Sequence, residues 1–182
     1  MIKMIVMDLD GTLLDDCLNI SAYTLSILGE CRNRGIRIVI ATARSRQTAE
    51  TIIDLVQPDF SILNDGAIIM DSCDNVIHNE LHLLDEVAEI DYDYIENLNL
   101  NKMNAITILA KSQDIAVSEV LAFGDGANDI KMILYCGTGV AMENASHDVK
   151  SYANDVCKSN NENGVAIWIE EHILGAAPSV IH

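Results

Sequence analysis

Positive charge is scarce in this sequence of 182 residues, where 11 Lys and Arg stand against 28 Asp and Glu for a formal net charge of −17. Such a chain is repelled by nucleic-acid phosphates and by anionic lipid, so neither is expected as a partner. The scarcity is sharpest from Gln47 to Asn101, which has no Lys or Arg but thirteen acids between Glu50 and Glu96. That run reads as a solvated acidic face, as a docking surface for a basic partner, or as a field that draws metal ions. No apolar run approaches the ~18–20 residues needed to cross a bilayer. The opening MIKMIVMDLDG puts carboxylates where a signal peptide needs its apolar stretch, so a cytoplasmic protein is expected. Five cysteines, Cys17, Cys31, Cys73, Cys136 and Cys157, are scattered with no close pair, which fits a reducing compartment and disfavours a zinc site. Internal repeats and low-complexity tracts are also lacking.

What the chain does have is a core and an alternation. Hydrophobic residues make up 49%, enough to exclude global disorder. Short β-branched runs at Ile2–Asp8, Ile36–Ala41, Phe60–Leu63, Glu119–Phe123, Thr138–Met142 and Asp155–Cys157 read as strands. Helices are expected from a Ser21 cap to about Arg34, with Gly35 as the stop, and over Arg46–Val56, ended by Pro58. Further helical patterns cover Met103–Gln113, Asp129–Tyr135, His147–Ala153 and Gly164–Ile173. Ala67–Met70 and Val76–His78 form an expected hairpin around DSCDN. Leu81–Leu100 is acidic and ambiguous, and Gly175–His182 reads as a loosely held end. The fold class is α/β, with a doubly wound, mostly parallel, Rossmann-like sheet.

In such sheets ligands bind beyond the carboxyl ends of the strands, where the winding reverses. The segments that follow three predicted strands are Asp8-Leu9-Asp10-Gly11-Thr12, Thr42-Ala43-Arg44 and Gly124-Asp125-Gly126-Ala127-Asn128-Asp129. Asp8, Asp10, Asp125 and Asp129 would repel one another unless a cation joined them, and oxygen ligands favour Mg²⁺. Gly11, Gly124 and Gly126 let backbone amides approach an anion, while Thr42 adds a hydroxyl and Lys102 an ammonium. Together these groups describe a site for a phosphoryl group.

DLDGTLL at Asp8–Leu14, Thr42, Lys102 and GDGANDIKM at Gly124–Met132 resemble the four motifs of the haloacid dehalogenase superfamily. The resemblance is closest to its Cof-like branch of sugar-phosphate and small-metabolite phosphatases. It continues through GVAMENA (Gly139–Ala145) and NNENGVA (Asn160–Ala166), and covers Met1–Ala67 and Asp93–Ile169. It implies a Mg²⁺-dependent phosphomonoester hydrolase in which Asp8 is the nucleophile and forms an aspartyl-phosphate. Asp10 would be the general acid and base, and Thr42 and Lys102 would hold phosphoryl oxygens. The resemblance also implies that Asp8, the Asp10 carbonyl and Asp125 bind the metal with support from Asp129. Gly11, Thr12 and Asn128 would lie on the phosphate side. Arg44 is either a further substrate ligand or the partner of a structural ion pair.

Two departures from the family pattern are small. Asp65 stands where Asn is usual, and Ala43 where Gly is usual. A third is large: Cof-like proteins carry an α/β cap between the turn at Asp65-Gly66-Ala67 and the motif lysine, and here only residues 68–101 intervene. That length suits a hairpin and an acidic connector. The expectation is a single core, residues 1–182, with a reduced insert at 67–101. A capless site needs covering by another subunit or by a large substrate, so a homo-oligomer, possibly a tetramer, is expected. Other readings are a phosphoprotein phosphatase and a phosphate-binding regulatory protein with little turnover. A receiver domain with a phosphorylated Asp is less favoured, because it would lack DxDGT.

Overall fold

Every residue of the first strand, β1 (Met4–Met7), is buried, yet alternate residues enter different cores. Ile5 and Met7 join one hydrophobic cluster, while Met4 and Val6 join another. Because successive strand side chains point to opposite faces, a strand apolar at every position belongs in the middle of a sheet covered on both sides. The computed structural model of the chain describes residues 1–81 and 100–175. The readings of the acidic connector and of the chain end therefore fall largely outside the described residues.

Among the described residues the sheet has eight strands, in the order β5-β4-β3-β2-β1-β6-β7-β8. These are β2 (Arg37–Ala41), β3 (Phe60–Leu63), β4 (Ile68–Asp71), β5 (Val76–Asn79), β6 (Val120–Gly124), β7 (Thr138–Met142) and β8 (Asp155–Cys157). Pairings from β3 across to β8 are parallel, and β4 and β5 add an antiparallel edge. The chain winds outward from β1 through β2 to β3, then returns to the other side of β1 as β6. That reversal puts the switch point between the carboxyl ends of β1 and β6, with the end of β2 beside it.

Six α-helices are described: α1 (Ala22–Asn33), α2 (Arg46–Val56), α3 (Lys102–Ser112), α4 (Ile130–Tyr135), α5 (His147–Ser151) and α6 (Gly164–Ile169). Residues of α1, α2 and α6, including Leu28, Ile52 and Trp168, fill the cluster with Ile5. Residues of α3 and α4, including Ile106, Leu109 and Met132, fill the cluster with Val6. The start signals are local. Ser21 accepts from the Thr24 amide at 3.0 Å, and Asn101 accepts from the Asn104 amide at 3.0 Å. The α2 end is also local: Gln57 turns left-handed at φ 50° immediately before Pro58.

Two helix ends differ from the sequence pattern. After α5 the chain is drawn back onto β7, where Gly139 and Asn154 exchange hydrogen bonds of 2.7 and 2.8 Å, so the helix stops at Ser151. After α6 the winding widens to a π-turn over Glu170–Leu174, which stacks His172 on Trp168 at a centroid distance of 4.2 Å. The hairpin forms as expected, with the Asp71 carboxylate accepting from the Cys73 and Asn75 amides at 2.8 and 2.9 Å. At its root, Gly66 (φ 109°) lies so close to the returning chain that a Cβ there would sit 2.5 Å from the Asn101 carbonyl oxygen.

Candidate active site

Asp8 follows β1, and its amide continues the ladder by donating to the Phe123 carbonyl at 3.1 Å. The same ladder places Asp125 just past the end of β6. Asp129, fully buried, comes one turn later, and its Oδ2 accepts from the Asp125 and Gly126 amides at 3.1 and 3.0 Å. Gly124 makes this return possible, since a Cβ there would lie 2.5 Å from the Asp129 Cβ. One oxygen from each of Asp8, Asp125 and Asp129 lies within 4.8 Å of the others.

Lys102 enters this cluster from the first turn of α3. Its Nζ donates to Asp8 Oδ1 at 2.6 Å and to Asp129 Oδ1 at 2.7 Å, with the lysine side chain 1% exposed. Burial disfavours the lysine charge, but Asp129 and Asp8 override it and hold the ammonium above the ordinary lysine range. Burial pushes the Asp8 carboxyl up to about 7 despite the pull of Lys102, and Asp129 adds to the push. Asp125 is raised too, mainly by burial. Three crowded carboxylates with one ammonium leave an excess of negative charge. That donor set, hard oxygens in an anionic hollow, fits a Mg²⁺ ion.

The remaining candidates surround this cluster. Thr12 Oγ1 donates to Asp125 Oδ1 at 2.9 Å, so the hydroxyl expected on the phosphate side holds a carboxylate in this state. Gly11 (φ 74°) presses its backbone on the same group, since a Cβ would lie 2.3 Å from Asp125 Oδ2. Thr42, 1% exposed, continues the β2 ladder by donating its amide to the Ile62 carbonyl, and its hydroxyl accepts from the Arg44 amide at 3.2 Å. The Arg44 side chain takes both oxygens of Asp10, through Nε at 2.8 Å and through Nη2. That geometry is the ion pair weighed from sequence. Asn128 donates to Asp65 Oδ1 at 2.8 Å, joining the loop after β6 to the turn after β3. Asp8, Lys102, Asp125, Asp129 and Thr12 thus meet directly, while Asp10 with Arg44 and Asn128 with Asp65 form two flanking pairs.

Sequence reasoning assigned no role to Asn144. Its Nδ2 donates to the Gly11 carbonyl at 2.7 Å and its Oδ1 accepts from the Asn160 amide at 3.1 Å. Both asparagines lie in the stretches GVAMENA and NNENGVA, which were the available signal.

The chain matches the profile of haloacid dehalogenase-like hydrolases over residues 5–99 and 89–169. It is 26% identical to the 5-amino-6-(5-phospho-D-ribitylamino)uracil phosphatase YcsE of Bacillus subtilis, with 95% of this chain and 96% of the relative covered. With the putative phosphatase YxeH of the same organism it shares 25% identity over 96% of this chain and 99% of the relative. These alignments run to 240 and 268 positions, more than the 182 residues here, so parts of both relatives have no counterpart in this chain. Among solved structures, a haloalkanoate (HAD) superfamily phosphatase from Bacteroides thetaiotaomicron superposes with a TM-score of 0.80 at 22% identity. The overlap covers 94% of this chain and 95% of that one, a likeness of fold.

Proposed function

The chain belongs to the haloacid dehalogenase-like hydrolases, and on that premise we propose that it is a Mg²⁺-dependent phosphomonoester hydrolase acting on a small phosphorylated metabolite. The observation that carries the reading is the buried Lys102 ammonium bridging Asp8 and Asp129 beside Asp125. Such a cluster combines a nucleophilic carboxylate, a cation for phosphoryl oxygens and donors for a metal.

In this reading a carboxylate oxygen of Asp8 attacks phosphorus as the ester P–O bond breaks. Asp10 gives its proton to the leaving oxygen, so an alcohol departs and an aspartyl-phosphate remains on Asp8. A water then attacks phosphorus, its proton passes to the Asp10 carboxylate, and phosphate leaves with the Asp8 carboxylate restored. Lys102 and Thr42 bind phosphoryl oxygens, and Lys102 moves from two carboxylates onto the substrate as it does so. Asp8, Asp125 and the Asp10 carbonyl would hold Mg²⁺ with Asp129 in support, and the bound ion would neutralise charge on the phosphoryl group. Asn128 orients that group from the flank.

The insert at 67–101 is too short for the α/β cap of Cof-like phosphatases, and the unmatched positions of the two B. subtilis relatives support this reading. We therefore read the chain as one core with a reduced insert, its rim covered by another subunit of a homo-oligomer. Among the described residues no helix is long and apolar enough to cross a membrane, and the five free cysteines fit a cytoplasmic setting. The Arg44 pair favours one second reading, a phosphate-binding protein with little turnover, because it occupies the oxygens through which Asp10 would pass a proton.

Hydrolysis of p-nitrophenyl phosphate and of a panel of sugar and ribityl phosphates, with Mg²⁺ and with chelator, tests the proposal. The expected result is Mg²⁺-dependent phosphate release that Asp8→Asn removes. Normal turnover by Asp8→Asn overturns the assignment, and Mg²⁺-dependent phosphate binding without turnover establishes the second reading.

A further inference from the structure

The two late stretches that the catalytic roles leave unused, GVAMENA and NNENGVA, converge on the loop after β1. Asn144 lies beyond β7 and Asn160 beyond β8, yet both reach residues 11–16. Asn160 Nδ2 donates to the Leu14 carbonyl at 3.0 Å and to Asp16 Oδ1 at 3.1 Å, and its amide donates to Asn144 Oδ1. Asn144 then donates its Nδ2 to the Gly11 carbonyl. One end of that amide must be an acceptor and the other a donor, so its orientation is fixed by its two partners.

The Gly11 carbonyl belongs to the peptide that carries Thr12. Gly11 has φ 74° and no side chain, so its own covalent structure restrains this peptide weakly. Thr12 in turn holds Asp125 Oδ1, and the Gly11 backbone abuts Asp125 Oδ2. A continuous chain of contacts therefore runs from Asn160 through Asn144, Gly11 and Thr12 to the carboxylate of Asp125.

We propose that Asn144 is a positioning residue for the metal site, fixing the Gly11–Thr12 peptide so that Thr12 presents the Asp125 carboxylate to Mg²⁺. The inference rests on the metal-dependent reading above. Groups that orient a metal ligand without touching the metal typically change affinity by about 10–100-fold when lost. Asn144 acts through Thr12, which places its effect near the lower end of that range.

Asn144→Asp separates this role from a structural one. An Asp keeps the acceptor for the Asn160 amide but replaces the donor to the Gly11 carbonyl with an oxygen. Mg²⁺ titrated into the full chain by calorimetry, together with the Mg²⁺-induced rise in melting temperature, reads the metal without turnover. Asn144→Asp and Asn144→Ala are both expected to weaken Mg²⁺ binding by about tenfold. The accompanying loss of p-nitrophenyl phosphate hydrolysis should be recovered by added Mg²⁺. Thr12→Val should weaken binding similarly, and combining it with Asn144→Asp should cost no more than the worse single change, because both break one chain of contacts.

Unchanged Mg²⁺ affinity in Asn144→Asp overturns the inference, as does a lowered melting temperature of the metal-free protein with affinity intact. Multiplicative losses in the double variant overturn it too, since they place the two residues on separate routes. A wild-type chain that binds no Mg²⁺ overturns both proposals. One that binds Mg²⁺, responds to Asn144→Asp and hydrolyses no phosphate ester removes only the proposed function.

Discussion

Lys102 Nζ and Asp8 Oδ1 lie 2.6 Å apart across a sequence separation of 94 residues, in a place almost closed to water. With Asp129 on its other side, the lysine is the counter-charge that lets two buried carboxylates share one hollow. Removing it is therefore a test of stability as well as of chemistry.

Lys102→Met is expected to destabilise the metal-free protein by about 3–5 kcal/mol, the usual cost of leaving buried charge unpaired. Saturating Mg²⁺ should restore part of that loss by supplying a cation to the same carboxylates. Urea unfolding with and without Mg²⁺ measures both. Equal midpoints for the variant in the two conditions would separate the lysine from the metal site.

The Asp8 carboxyl, raised from 3.8 to about 7, sets a pH dependence with a definite sign. The folded metal-free state holds this proton more tightly than the unfolded chain, so the contribution is fully present below about pH 3.8. It is lost as pH rises through about 7. Between those values the melting temperature of the metal-free protein should fall with rising pH, and Asp8→Asn should flatten that slope. A slope unchanged in Asp8→Asn would place its origin elsewhere.

Arg44 and Asp10 form an exposed pair, so its loss should cost at most about 1 kcal/mol of stability. Its effect on turnover should be larger. Arg44→Lys keeps the charge but gives up the two-pronged grip, freeing an Asp10 oxygen for proton transfer, and is expected to speed hydrolysis of alkyl phosphates by about tenfold. p-Nitrophenyl phosphate, whose leaving group needs little protonation, should be affected much less. Equal losses on both substrates would argue that Arg44 serves binding and does not restrain Asp10.

Gly11→Ala should fail in two ways. The φ of 74° disfavours any side chain, at about 1–3 kcal/mol, and the added Cβ would collide with Asp125 Oδ2 at 2.3 Å. A lowered melting temperature together with weakened Mg²⁺ binding is expected. Wild-type Mg²⁺ affinity in a folded Gly11→Ala would mean that the turn does not support Asp125.

Much of this was legible because its causes are short-range. The α2 span Arg46–Val56, the Ser21 cap, and the strands Phe60–Leu63 and Thr138–Met142 follow from periodicity and neighbouring polar groups. The convergence of Asp8 and Asp125 follows from their places after adjacent strands, once the winding rule is applied. The contacts that escaped notice are side chain to backbone and distant. Asn144 and Gly11 are 133 residues apart, and nothing near either one announces the other. The partner Thr12 has in this state, the Asp125 carboxylate, lay hidden for a related reason. A hydroxyl in a glycine-rich loop suits an anion or a carboxylate equally, and only the approach of β6 decides between them. The stop of α5 at Ser151 depends likewise on Asn154 finding Gly139.

Gly66 and the Asn101 carbonyl nearly touch, so the chain between them, β4 and β5 of the sheet edge included, begins and ends at a single gate. The entropy of closing an excursion there grows only as the logarithm of its length, about 0.6 kcal/mol for each doubling. The core is therefore almost indifferent to how much chain is threaded through the gate. Chain can be added or removed beyond the β4–β5 hairpin while Lys102, one residue past the gate, keeps its place between Asp8 and Asp129.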